Sequence, residues 1–134
     1  MEKLLKSKKL RITDFRLEVL NAIGKYKNAV TINQIENQLK NFDRITLYRT
    51  VKTFIEKGIL HEIVMPGEIK KLAFCQEDCG HQSNEHKHQH LHFKCDKCSE
   101  VFCLFLNSFP EIKYPKFKIR QVEIQGSGIC SNCK

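Results

Sequence analysis

No apolar run in this sequence approaches the ~20 residues needed to span a bilayer, so no membrane helix is expected. The basic opening MEKLLKSKKLRIT lacks an apolar core and a small-residue cleavage site, and no secretory signal is expected from it. An even set of cysteines is also missing: there are seven. An odd count without an export signal argues against a disulfide framework and for metal chemistry in a reducing, cytoplasmic compartment. With 134 residues there is room for one compact domain or two very small ones. Small domains often draw on metals or oligomerisation for stability. A hydrophobic content of 41% argues against disorder.

Acidic charge is scarce in the first part of the chain. Residues 1–61 hold 13 Lys/Arg against 6 Asp/Glu, whereas residues 62–134 hold 10 against 9. All seven cysteines and five of the six histidines lie in the second part, His61 being the sixth. The chain therefore divides into a basic half and a half rich in metal ligands. The basic half suits either a solvated helical surface or a nucleic-acid partner.

Thr13 is placed to cap a helix running to about Lys25, with Phe15, Val19, Leu20 and Ile23 at helical spacing. Thr31 and Gln34 form a capping-box pattern ahead of Ile32, Ile35 and Leu39. Asp43 is a candidate cap for a third helix, which Gly58 ends. Two short runs, 59–65 and 69–75, flank Pro66-Gly67 and read as a hairpin. Three helices and a hairpin predict a winged helix-turn-helix over residues 1–75. In the third helix Leu47, Val51, Phe54 and Ile55 point inward. Thr46, Arg49, Thr50 and Thr53 make an opposite face of short hydroxyls and one Arg, suited to phosphates and base edges in a major groove. Tyr48, at the border between faces, suits either thymine methyls or the core. Winged helices also dock proteins, which leaves that role open.

Cys95-Asp96-Lys97-Cys98 and Cys130-Ser131-Asn132-Cys133 are two CxxC knuckles, which together complete a closed tetrahedral Zn²⁺ site of structural type. Redox-active CxxC pairs are the alternative. The 31 residues between the knuckles have room for a helix around 106–112 and a strand around 116–125. Upstream, His90 and His92 alternate with Leu91, so a strand would point both imidazoles to one side. His61 and Cys75, on the two strands of the hairpin, are candidate partners. A second site of His61, Cys75, His90 and His92 would join the two halves and act as a metal switch. Cys79, His81, His86 and His88 fall in a polar stretch and suit a loop or a weak extra site. Cys103 suits either core filling or ligation.

The segments LRITDFRLEVL, RITLYRTVKTFIEKGIL, HQHLHFKCDKC and GICSNC, in that order, resemble the ferric uptake regulator family across nearly the whole chain. The resemblance implies a homodimeric transcriptional repressor: a winged helix, a hinge over 76–88 and a small α/β dimerisation domain over 89–134, an α+β chain overall. It implies that Tyr48 and Arg49 are the family's Tyr-Arg pair on the recognition helix and that Arg11 approaches the minor groove. Cys95, Cys98, Cys130 and Cys133 match the structural zinc site, and His90 and His92 match the regulatory site. Iron-type members usually carry a Glu at the position of Ala73, whereas zinc-type members carry a Cys at the position of Cys75, and several carry an acidic residue or His at His61. A regulatory Glu of iron-type members falls on Cys103. A third site of some members would need groups that stand here as Gln89, Leu91, Pro110 and Val122, so that site is expected to be absent. The expectation is a zinc-sensing repressor of metal-uptake genes acting on a palindromic DNA operator. An iron or peroxide sensor holding Fe²⁺ or Mn²⁺ is the alternative within the family. A small zinc or thiol enzyme is the rival from outside it, disfavoured because a closed Cys₄ site cannot activate water.

Overall fold

The computed structural model describes residues 1–75, 90–120 and 122–134. The chain splits into two compact units, Met1–Gln76 and Glu77–Lys134. In element order they contain α1 (Glu2–Ser7), α2 (Asp14–Gly24), α3 (Ile32–Gln38), α4 (Arg44–Glu56), β1 (Leu60–Ile63) and β2 (Lys71–Phe74), then β3 (His90–Cys95), β4 (Val101–Phe105) and β5 (Ile124–Gly128).

In the first unit each of the three expected helices starts where a side chain satisfies an orphan backbone N–H. Thr13 Oγ1 accepts from the Arg16 N–H, and the Asp43 carboxylate from that of Thr46. At α3 the exchange is reciprocal: Thr31 Oγ1 accepts from the Gln34 N–H at 3.2 Å, and Gln34 Oε1 accepts from the Thr31 N–H at 2.8 Å. α4 ends in a Schellman arrangement. Gly58 has φ 67°, its N–H reaches the Ile55 carbonyl, and the Ile59 N–H reaches the Phe54 carbonyl at 2.8 Å. This turn feeds the chain directly into β1, which pairs antiparallel with β2 in the register Leu60↔Phe74 to Ile63↔Lys71. Val30, ahead of α3, exchanges two backbone hydrogen bonds with Leu72 and adds a third rung to the wing. Val19, Leu20, Ile35, Leu47, Phe54 and Leu60 fill the core. Leu5, on the short α1 that the sequence pattern did not reveal, is fully buried in it.

The second unit is a three-stranded sheet in the order β4-β3-β5. β3 and β4 are antiparallel, with His92 opposite Cys103, whereas β5 runs parallel to β3, with Cys95 opposite Gly128. The helix expected around 106–112 is not formed. Pro110 lacks the N–H a helix interior needs, and residues 106–113 carry no regular element. The strand expected over 116–125 begins only at Ile124. Lys116 sits at φ 67° in a tight reversal between Tyr114 and Phe117, which breaks the extended run. Among the described residues of this unit the buried apolar side chains are Val101 and two of the zinc-ligand candidates, Cys95 and Cys130. Phe105, Ile112, Tyr114, Phe117 and Ile119 are exposed. No helix among the described residues is long and apolar enough to cross a membrane.

Gly58→Ala forces a Cβ into the left-handed region at the end of α4. It is expected to lower stability by about 1–2 kcal/mol in urea unfolding.

Candidate metal centres and nucleic-acid interface

β3 ends at Cys95, and the turn that follows reverses at Ser99 (φ 62°), whose N–H returns to the Cys95 carbonyl at 2.9 Å. This presents Cys98 beside Cys95. The Asp96 N–H bonds the Gly128 carbonyl at 2.7 Å, which carries the β3–β5 ladder into the second knuckle. There the Cys130 N–H points at Cys95 Sγ at 3.4 Å, and Cys98 Sγ lies 3.9 Å from Cys130 Sγ. The sulfurs of Cys95, Cys98, Cys130 and Cys133 all lie within 4.8 Å of one another. Four thiolates at the ordinary Zn–S bond length stand about 3.8 Å apart on a tetrahedron, so the donor set fits Zn²⁺. Among the described residues no cysteine is in a disulfide.

A second cluster of ligands lies on the same sheet. His90 and His92 point to one side of β3 with their Nε2 atoms 2.8 Å apart. Cys103 Sγ, from the partner strand, lies within 4.8 Å of both ring-nitrogen donors. Cys103 is therefore near enough to both imidazoles to share a metal ion with them. In the first unit Cys75 Sγ stands 3.6 Å from His61 Nδ1. A tetrahedral Zn²⁺ sharing one imidazole and one thiolate separates those atoms by about 3.6 Å. The Cys75 N–H bonds the Ile59 carbonyl at 2.9 Å and extends the wing ladder, while Ala73 is the residue opposite His61. Cys79, His81, His86, His88 and Gln89 lie outside the described residues.

On α4, Thr46, Tyr48 and Arg49 are exposed, Tyr48 by 54%. Thr50 is not: it is 8% exposed and turned into the core. At 100° per residue it lies about 40° from Phe54 and about 60° from Leu47, within the arc those side chains bury. Thr53 is half-buried, and its hydroxyl donates to the Arg49 carbonyl at 2.9 Å. The exposed stripe is instead Ile45, Tyr48, Arg49 and Lys52, a spacing of i, i+3, i+4 and i+7 that was readable in the sequence. Arg11 is also exposed, on the segment entering α2, where its carbonyl accepts from the Arg16 guanidinium at 2.7 Å.

The model of the ferric uptake regulator family matches residues 7–129. This chain belongs to that family. The Fur protein of Staphylococcus aureus, a ferric uptake regulation protein, is 29% identical to it over 140 residues, covering 98% of this chain and 94% of the relative. A zinc uptake regulator solved with zinc and DNA shares the fold at 22% identity and a TM-score of 0.64, over 98% of this chain and 89% of that one. The Vibrio cholerae ferric uptake regulator does so at 16% and 0.61, over 96% and 98%. Fur-family proteins bind DNA and metals, and this one is a metal-responsive regulator of transcription.

In this Fur-family protein the acid–base state of the four-cysteine cluster bears on how it would take a cation. Backbone N–H groups of Cys98 and Cys130 stabilise the Cys95 thiolate and pull its pKa down to about 6. The hydrogen bond with Cys130, then burial, pushes Cys133 up to about 12. For Cys98 the Glu100 amide favours the thiolate, but burial and the Cys95 and Cys130 thiols outweigh it and raise the pKa. Without a cation Cys95 is a ready thiolate, while Cys98 and Cys133 hold their protons. His90 is pushed down to about 4 by burial and by the adjacent His92, so it is neutral at pH 7, the form that binds metal.

Loading the metal-free protein with Zn²⁺ in unbuffered solution at pH 7 is expected to release protons from Cys98 and Cys133, readable with a pH indicator dye. Zinc affinity should fall as pH is lowered, because protons compete for the sulfurs. The fall should steepen below about pH 6, where Cys95 also holds its proton. A pH-independent affinity would remove thiolate ligation as its basis.

Proposed function

We propose that this Fur-family protein is a zinc-sensing repressor of metal-uptake genes, cytoplasmic and homodimeric, acting on a palindromic DNA operator. The observation that carries the choice of metal is the Cys75 sulfur 3.6 Å from His61, opposite a wing position where Ala73 offers no carboxylate. Soft thiolate with imidazole favours tetrahedral Zn²⁺, whereas Fe²⁺ or Mn²⁺ sensing calls for oxygen ligands and higher coordination. In this reading His61 and Cys75 of the first unit and His90 and His92 of the second are the two halves of one regulatory site. Cys103 adds sulfur to the second half. Closing Zn²⁺ between the halves fixes the angle of the DNA-reading unit, and binding energy available only in the closed state drives the switch. A second Zn²⁺ in Cys95, Cys98, Cys130 and Cys133 is permanent and structural.

The exposed apolar side chains Phe105, Ile112, Tyr114, Phe117 and Ile119, of which the Tyr114 and Phe117 rings touch at 5.2 Å, are candidates for the surface that a homodimer would cover. Two winged helices then meet two operator half-sites. Arg49 and Lys52 hold phosphates, Arg11 approaches the minor groove and Tyr48 faces base edges, while the Thr46 hydroxyl is held by the Asp43 cap. Thr50, being buried, has no part in it. Members of the family with iron-type sites remain the competing reading, and the second metal distinguishes the two.

Cys75→Ser is expected to weaken Zn²⁺ at the regulatory site by more than about 100-fold, since even outer-shell changes cost 10–100-fold. Duplex binding followed by fluorescence anisotropy in buffered free Zn²⁺ should lose its zinc response, while the dimer and the four-cysteine zinc persist. An unaltered response in Cys75→Ser, or one iron or manganese bound beside one zinc under anaerobic competition, would overturn the zinc-sensor reading.

A further inference from the structure

Ile45 is the second residue of α4 and is 62% exposed, beside Tyr48 one turn on. A β-branched apolar side chain gains nothing from water in the first turn of a helix, and its helix propensity is poor. The polar groups around it are committed elsewhere. The Thr46 hydroxyl donates to the Asp43 carboxylate at 2.8 Å, and Arg44 leans to Glu36 at 3.5 Å. What the first turn of α4 offers a partner is therefore an apolar edge, Ile45 and Tyr48, flanked by the cations Arg49 and Lys52. The surrounding residues 1–61 carry 13 Lys/Arg against 6 Asp/Glu, which complements a polyanion. The major groove presents one apolar group on its base edges, the 5-methyl of thymine. The N-terminal residues of a recognition helix are those that reach base edges.

We infer that Ile45 is a specificity-determining residue that selects one thymine of each half-site through its 5-methyl group. The inference rests on the reading of α4 as the DNA-reading helix. Arg49 and Lys52 then supply affinity without sequence preference, and Ile45 supplies discrimination with little affinity of its own.

The test uses the zinc-loaded full-length protein. A duplex is selected from a random library, and each thymine in it is replaced in turn by deoxyuridine, which removes the methyl and leaves every hydrogen-bonding group. The wild-type protein should bind about fourfold more weakly for each half-site methyl lost, the worth of one buried methyl-sized group. Ile45→Ser should bind the unmodified duplex more weakly, be indifferent to the same replacement, and keep the wild-type salt dependence. Because Ile45 is exposed, Ile45→Ser should fold, with unchanged melting and zinc content; Ile45→Ala serves as the second variant. Full tolerance of deoxyuridine by the wild type, or an undiminished penalty in both variants, overturns the inference while leaving α4 as the DNA reader. Failure of the wild type to select any duplex overturns the DNA-reading assignment and the inference with it.

Discussion

Four sulfurs within 4.8 Å of one another cannot all be thiolates unless a cation stands among them. The second unit depends on how that crowding is resolved. Among its described residues the buried apolar side chains are Val101, Cys95 and Cys130, far too little to offset the entropy of ordering three strands. A structural zinc site in a small domain can supply on the order of 10 kcal/mol of folding free energy. The position of the site matters as much. Cys95 terminates the central strand, and Cys130 follows the edge strand β5, so an ion held by both would clamp the β3–β5 ladder at its end. A parallel pair has no tight turn to hold it together, and the clamp replaces one.

The strand that such an ion would tie down also carries the other candidate metal ligands. His90 and His92 are upstream of Cys95 on β3, and Cys103 opposes His92 from β4. Rigidity at one end of the strand fixes the direction of the imidazoles at the other, which is what a sensor needs if its response is not to be absorbed by ligand rearrangement. Burial then keeps His90 neutral at physiological pH. The cost of ordering the ligands is met during folding rather than at the moment of sensing.

Local rules were legible in the sequence and long-range ones were not. Thr13, Thr31, Asp43 and Gly58 act through partners at most five residues away, and each took the role its type and spacing implied. The two CxxC pairs were legible as one four-sulfur cluster, and their sulfurs stand within 4.8 Å of one another. The short α1 was missed because its six residues have no periodicity to detect; its existence depends on Leu5 finding the core. β5, reading IQGSG, has little strand propensity of its own and exists through pairing with β3. The helix expected around 106–112 rested only on the room between the knuckles, and Pro110 lacks the N–H that its interior would need. Thr50 was expected on the outer face because it stands four residues after Thr46, yet its angular distance from Phe54 places it at the margin of the core, where it is buried.

That last error bears on how a recognition helix is read. Short polar residues resemble base-contacting groups, yet on α4 two of them serve the helix itself: Thr46 completes the Asp43 cap, and the Thr53 hydroxyl donates a hydrogen bond to the Arg49 carbonyl. A hydroxyl within reach of its own backbone tends to bond there first. The groups left to face outward are those that cannot be satisfied internally, an exposed isoleucine, a tyrosine and two cations. For a helix that must hold one partner among many similar duplexes, this division is physically sensible. In the proposed reading cations attract every duplex alike and apolar contact distinguishes among them at a few-fold per contact, so selectivity would accumulate over two half-sites rather than reside in any single bond.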